Sequence, residues 1–168
     1  FETNVGAGLP VIDTLNNLIA SGDEIQKIQA ILSGSLNFVF NNFNTQTSFE
    51  SVVKSAQDEG YTEPDPKIDL SGVDVARKIL ILARESGFEL DLEDIENQSF
   101  LPEDVLNTDN NDDFFAALKN HETHFQSILK KAEDKNCRLK YVAQLEAGKA
   151  SVGLQEINPS HDFYNLEG

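Results

Sequence analysis

The hydrophobic period of this chain changes near its end, and that change constrains the fold more than any other feature of the sequence. Between Arg138 and Ile157 the apolar positions alternate in period two on either side of Ala147-Gly148-Lys149, which is the pattern of a β-hairpin. Most of the chain before that point repeats at helical spacing instead. Pro10 opens a first helix whose apolar residues Val11, Ile12, Leu15, Leu18 and Ile19 share a face as far as Gly22. The β-branched content of Glu24 to Leu32 predicts a strand ending at Ser33-Gly34. Leu36, Val39, Phe40 and Phe43 predict a second helix starting at the Ser33-Gly34-Ser35 turn. A capping box of Thr47 and Glu50 predicts the start of a third helix, with Gly60 as its stop. Pro64 and Pro66 make Tyr61 to Lys67 a loop. One long helical stripe then runs from Asp69 to Ser86, capped by Gly87, and Phe114 to Leu118 and Phe125 to Ala132 are two shorter helices. The order predicts an α+β domain, a mixed β-sheet with helices layered on one face.

Charge narrows the partners. Thirteen basic residues against twenty-nine acidic leave a net charge of −16, which excludes a nucleic-acid or anionic-membrane surface, since both need clustered Lys and Arg. Ten of the acids and no base lie between Glu89 and Asp113, a block expected to be a solvated loop. No apolar run approaches the ~18 residues that span a bilayer. The single cysteine, Cys137, staples nothing and points to a reduced, cytoplasmic setting. The chain starts at Phe1 without an initiator Met or a signal segment, so it is expected to be a piece of something longer.

Several familiar sites fail on inspection. Asn4-Val5-Gly6-Ala7-Gly8-Leu9-Pro10 carries two glycines but not the third that a dinucleotide fingerprint needs; it is a tight turn whose carbonyls could bind a cation. His121 and His124 lack the further ligands of a metal site and are expected at the surface. Cys137 has no histidine partner and is expected to be a buried thiol rather than a nucleophile.

The run from Gly60 to Lys78 is different. Asp74 and Lys78 stand one helical turn apart on a common face, and Glu63 and Asp69 flank them in or just after the proline-stiffened loop. An ordinary solvated ion pair would contribute a few tenths of a kcal/mol. Here Gly72 allows close approach at the helix start and Lys78 lies between apolar neighbours, so proton transfer by a partly desolvated lysine is the alternative.

Spacing included, Ala56, Gly60, Tyr61, Thr62, Asp65, Pro66, Asp69, Leu70, Gly72, Asp74 and Lys78 resemble the signature of the homoserine dehydrogenases. Glu2 to Pro10 and the turn Leu32-Ser33-Gly34-Ser35-Leu36-Asn37 resemble two further landmarks of that family, in the wording of its bifunctional aspartokinase–homoserine dehydrogenase branch. The resemblance implies an oxidoreductase that interconverts L-homoserine and L-aspartate 4-semialdehyde with NADP or NAD, in threonine, methionine and isoleucine biosynthesis. It implies Lys78 as the proton-transfer group, Asp74 as its orienting partner, and Glu63, Tyr61, Gly34, Ser35 and Asp69 at the substrate. It implies a monovalent-cation site, for an ion such as Na+, made by Glu2 with the carbonyls of Val5, Ala7 and Leu9. It further implies that residues 1–168 are the substrate-binding and dimerisation domain of a homodimer or higher homo-oligomer. The nucleotide domain is expected outside this stretch, which alone should be inactive. The competing reading is an acidic, non-catalytic dimerisation or interaction module.

Overall fold

A computed structural model describes residues 5–167. Among them the helices are α1 (Val11–Ala20), α2 (Gly34–Asn42), α3 (Phe49–Asp58), α4 (Pro66–Leu70), α5 (Val73–Glu85), α6 (Glu103–Leu106), α7 (Asn111–Asn120) and α8 (Glu122–Asp134). The strands are β1 (Lys27–Ala30), β2 (Glu96–Gln98), β3 (Arg138–Glu146) and β4 (Lys149–Ile157). The fold is α+β, with one four-stranded mixed sheet in the order β1-β3-β4-β2. Contacts divide the chain into two compact units, one holding residues 5–32, Gly72–Gln98 and Val142–Gly153, the other Ser33–Ser71, Ser99–Tyr141 and residues 154–167.

In the first unit α1 packs on α5. Leu15 is the buried residue of α1, while α5 buries Val75, Ala76, Ile79, Leu80, Leu82 and Ala83, the stripe expected from its 3.6-residue period. β1 runs antiparallel to β3 from Lys27 opposite Glu146 to Ala30 opposite Ala143. β2 lies parallel to β4, Glu96 to Gln98 facing Ser151 to Gly153. The hairpin turn is Ala147-Gly148, both with positive φ (50° and 73°), as in a two-residue turn whose twist matches that of the strands. β3 and β4 are therefore the central strands. Along these residues β1 and β2 cover the two edges of the hairpin.

The second unit is packed with aromatic rings. Phe49, fully buried, stacks on Phe125 with centroids 4.1 Å apart and receives the edge of Phe43 at 5.1 Å, while Phe40 and Phe100 meet edge-on at 5.2 Å. Such offset and T-shaped pairs suit the ring quadrupole.

Three local expectations change. The cap of α3 is Ser48, whose Oγ accepts the Ser51 N–H at 3.2 Å; Thr47 instead accepts the Asn44 N–H in the preceding turn. The long helix from Asp69 is two helices. Pro66 starts α4, whose cap Asp65 accepts the Lys67 N–H, and Gly72 then takes a left-handed φ of 74° before α5 begins. A left-handed residue reverses the helical path, and glycine is the residue that does so without a steric penalty. The acidic segment is not simply a solvated loop: it holds a 3₁₀ turn at Leu92–Asp94, β2, α6 and the start of α7. Ile95, Phe100, Leu101 and Val105 are buried and anchor it, an apolar minority that outweighs the solvation of the acids around it.

Candidate active site

In the second unit the polar residues gather where α2 begins. Ser33 is extended and its Oγ caps α2 by accepting the Leu36 N–H at 3.2 Å, the ordinary role of a serine before a helix. Ser35, 4% exposed, donates its hydroxyl hydrogen to Asp69 Oδ1 at 2.8 Å. A hydroxyl has one hydrogen, so the 2.9 Å contact between Ser33 Oγ and Ser35 Oγ has Ser33 as donor. Asp69 Oδ2 accepts the Glu63 N–H at 2.9 Å. One carboxylate thus joins the α2 start to the backbone of the proline loop, where Glu63 is exposed. Tyr61, half exposed, stacks on Phe38 with centroids 4.3 Å apart. Gly34 is exposed at the first turn of α2, where a Cβ would meet nothing within 4 Å, so the free N–H groups there are approachable.

In the first unit Lys78 and Asp74 form the expected pair, Nζ to Oδ2 at 2.7 Å. The pair is unlike a solvated one in a single respect: Lys78 is 20% exposed against 53% for Asp74, and its ammonium also donates to the Leu32 carbonyl at 3.0 Å. Two of its three N–H bonds are committed, and the third has no partner among the described residues. The Leu32 carbonyl was not identifiable from the sequence, because backbone acceptors carry no side-chain signal. The peptide after Leu32 leads directly to Ser33. Of the residues expected at the substrate or the proton, Lys78 and Asp74 belong to the first unit, and Gly34, Ser35, Tyr61, Glu63 and Asp69 to the second.

The turn before α1 has Val5 buried at 2% and Leu9 exposed at 68%. Leu9 N–H donates to the Gly6 carbonyl at 2.9 Å, Val11 N–H donates to the Leu9 carbonyl at 2.8 Å, and Ala7 is left-handed at φ 51°. Backbone oxygens suit a hard cation; of the three carbonyls expected to bind one, that of Leu9 already accepts the Val11 N–H, and Glu2 lies outside the described residues. The same turn does not fit a dinucleotide phosphate, since the first turn of α1 carries Asp13 and no basic residue.

His121 Nε2 lies 2.7 Å from Asp104 Oδ2 and His124 Nε2 lies 2.9 Å from the Phe100 carbonyl. They serve different partners, and no group of three or more metal-ligating side chains occurs among the described residues. The hydrogen bond from His121 holds the Asp104 carboxyl below the usual carboxylate range. Cys137 is half-buried and directs its thiol at the Lys135 carbonyl. No helix among the described residues is long and apolar enough to cross a membrane.

Residues 10–168 match the family model of homoserine dehydrogenase. The chain is 42% identical over 99% of its length to a bifunctional aspartokinase/homoserine dehydrogenase of Haemophilus influenzae, and covers 20% of that protein. It is 40% identical, again over 99% of its length, to a homoserine dehydrogenase of Schizosaccharomyces pombe, of which it covers 46%. Among solved structures, a Candida auris protein of unknown function superposes with a TM-score of 0.92 at 40% identity, covering 99% of this chain and 49% of that one. A homoserine dehydrogenase from Thiobacillus denitrificans shares the fold, with a TM-score of 0.70 at 22% identity over 96% of this chain and 34% of its own. The chain therefore spans less than half of these relatives, and over that span it belongs to the homoserine dehydrogenase family.

Proposed function

We propose that this chain is the substrate-handling part of a longer NAD(P)-dependent oxidoreductase that interconverts L-homoserine and L-aspartate 4-semialdehyde in amino-acid biosynthesis. The observation that carries the reading is Lys78, a lysine whose side chain is 20% exposed and whose ammonium is held by both the Asp74 carboxylate and the Leu32 carbonyl. A lysine serving only as a surface partner has no need of that backbone acceptor.

The substrate is an amino acid and brings an ammonium, a carboxylate and a reacting oxygen. Glu63 meets the ammonium, and the N–H groups at Gly34 and Ser35 meet the carboxylate. Tyr61 contacts the substrate, and Asp69 fixes Ser35 and the Glu63 backbone. The hydride would come from a nicotinamide held by the rest of the longer protein. As the aldehyde is reduced, its oxygen gains negative charge and Lys78 gives it a proton; in the reverse direction the lysine amine takes that proton back. Asp74 stabilises the ammonium and holds it in place. Glu2 and the carbonyls of Val5, Ala7 and Leu9 would hold a monovalent cation. A homodimer or higher homo-oligomer is part of the same reading.

In the full-length enzyme Lys78→Ala should lower kcat by roughly 10²- to 10⁴-fold, the usual worth of a positioned acid–base group, with a smaller change in KM. Turnover at the wild-type rate in that variant would overturn the mechanism.

A further inference from the structure

The loop that carries Glu63 is gripped from outside by two side-chain amides. Gln57 Nε2, on α3, donates to the Pro64 carbonyl at 3.0 Å, and Asn111 Nδ2, at the start of α7, donates to the same oxygen at 2.8 Å. A carbonyl oxygen has two lone pairs, and both are used. Asn111 is available for this because its neighbour Asn110 does the capping of α7, accepting the Asp113 N–H at 2.9 Å.

The position of that oxygen gives the contact its meaning. It belongs to the peptide between Pro64 and Asp65, and Asp65 is the cap of α4. On the other side of Glu63, its own N–H is held by Asp69 Oδ2 at 2.9 Å. Glu63 is thus fixed before and after its Cα, by groups from α3, α4 and α7. Lys67 adds a fourth tie by donating to the Thr108 carbonyl, just before α7. A two-proline loop is stiff along its own chain, but stiffness does not say where the loop lies. Those amides do.

We propose that Gln57 and Asn111 are positioning residues that set where the Glu63 carboxylate stands to receive the substrate ammonium. This rests on the role given to Glu63 above. The acidic segment around Asn111 then has a use in the reaction through its hold on the Pro64 carbonyl.

The experiment is a kinetic cycle in the full-length enzyme with Asn111→Asp, which keeps the shape but puts an acceptor against the Pro64 oxygen. Glu63→Gln is made alone and together with it, and Gln57→Glu makes the same change from the other helix should Asn111→Asp fail to fold. Asn111→Asp should raise the KM for homoserine roughly 3- to 10-fold, the scale of one lost hydrogen bond, with kcat within about twofold. In the Glu63→Gln background the same change should move KM by less than about twofold, because a carboxylate that is gone cannot be misplaced. A KM that rises with Glu63→Gln but not with either amide variant overturns the positioning role and leaves the site intact. Equal effects in both backgrounds also overturn it. If Glu63→Gln itself leaves KM unchanged, the underlying assignment of Glu63 falls, and the positioning role falls with it.

Discussion

Around α5 the interior is aliphatic, built from Val75, Ile79, Leu80 and Leu82 with Val142, Leu145 and Val152 of the sheet. Around α2, α3 and α8 it is aromatic, and nine of the eleven phenylalanines fall in the residue ranges of that unit. Among the described residues the first unit holds α1 and α5, and the second holds α2, α3, α4, α6, α7 and α8. α5 has thirteen residues and can bury six of them along one stripe. The second unit includes α4 and α6, of five and four residues, too short to persist without tertiary contacts. A ring buries ~150–250 Å² at one position, so Phe40, Phe49 and Phe125 join α2, α3 and α8 through a few positions. Stability is concentrated at a few sites in one unit and spread along a helix in the other.

Substitutions can break that contrast. Phe49→Ala should cost about 3–5 kcal/mol, since the cavity is walled by other rings that cannot collapse into it; denaturant unfolding of the chain measures it, and a loss under about 2 kcal/mol would mean that the rings are redundant. Gly72→Ala should cost about 1–2 kcal/mol, the penalty of a left-handed φ for a residue with a Cβ, and a neutral result would show that the α4–α5 joint relaxes freely. In the aliphatic unit Ile79→Val should cost only about 0.5–1.5 kcal/mol.

The smallest expected change at neutral pH is also the most informative about charge. Lys140 on β3 is 1% exposed and donates to Asn41 Oδ1 and the Leu166 carbonyl. Burial, aided by Arg138 and opposed by Glu167, holds its pKa below the ordinary 10.5. Between the lowered value and 10.5 the unfolded chain keeps a proton that the folded chain has shed, so stability should rise with pH across that window. Lys140→Met should change stability by no more than about 1 kcal/mol at pH 7 and should flatten the rise. Melting temperatures taken up to pH 10 test this; above that, Tyr141, whose pKa burial pushes up to about 12, lowers stability and obscures the trend. An identical pH profile in the two proteins would remove Lys140 as the cause.

Local pattern told most of the fold. Helical stripes and turn residues located α1, α2, α3, α7, α8 and the hairpin, because each depends on neighbours a few positions away. The split at Gly72 was hidden, since Leu70, Val73 and Ala76 keep helical spacing across a residue whose backbone leaves the helix. The anchoring of the acidic segment was hidden because four apolar residues were outvoted by ten acids. In the candidate site the Asp74–Lys78 pair was legible from its spacing of four. The Lys78 contact with Leu32 and the Asp69 contacts with Ser35 and Glu63 were not, since partners 46, 34 and 6 residues apart leave no mark in a local pattern.

Both oxygens of Asp69 are occupied before any ligand arrives, one by Ser35 and one by the Glu63 amide. The ordering of that loop and of the α2 start is thus completed during folding. A ligand that docked against this loop would have side chains to immobilise, at about 0.5–1.5 kcal/mol each, rather than several backbone residues to freeze. Removing Asp69 should therefore slow capture of the ligand more than it hastens release, because each encounter would have to wait for the loop to find its place.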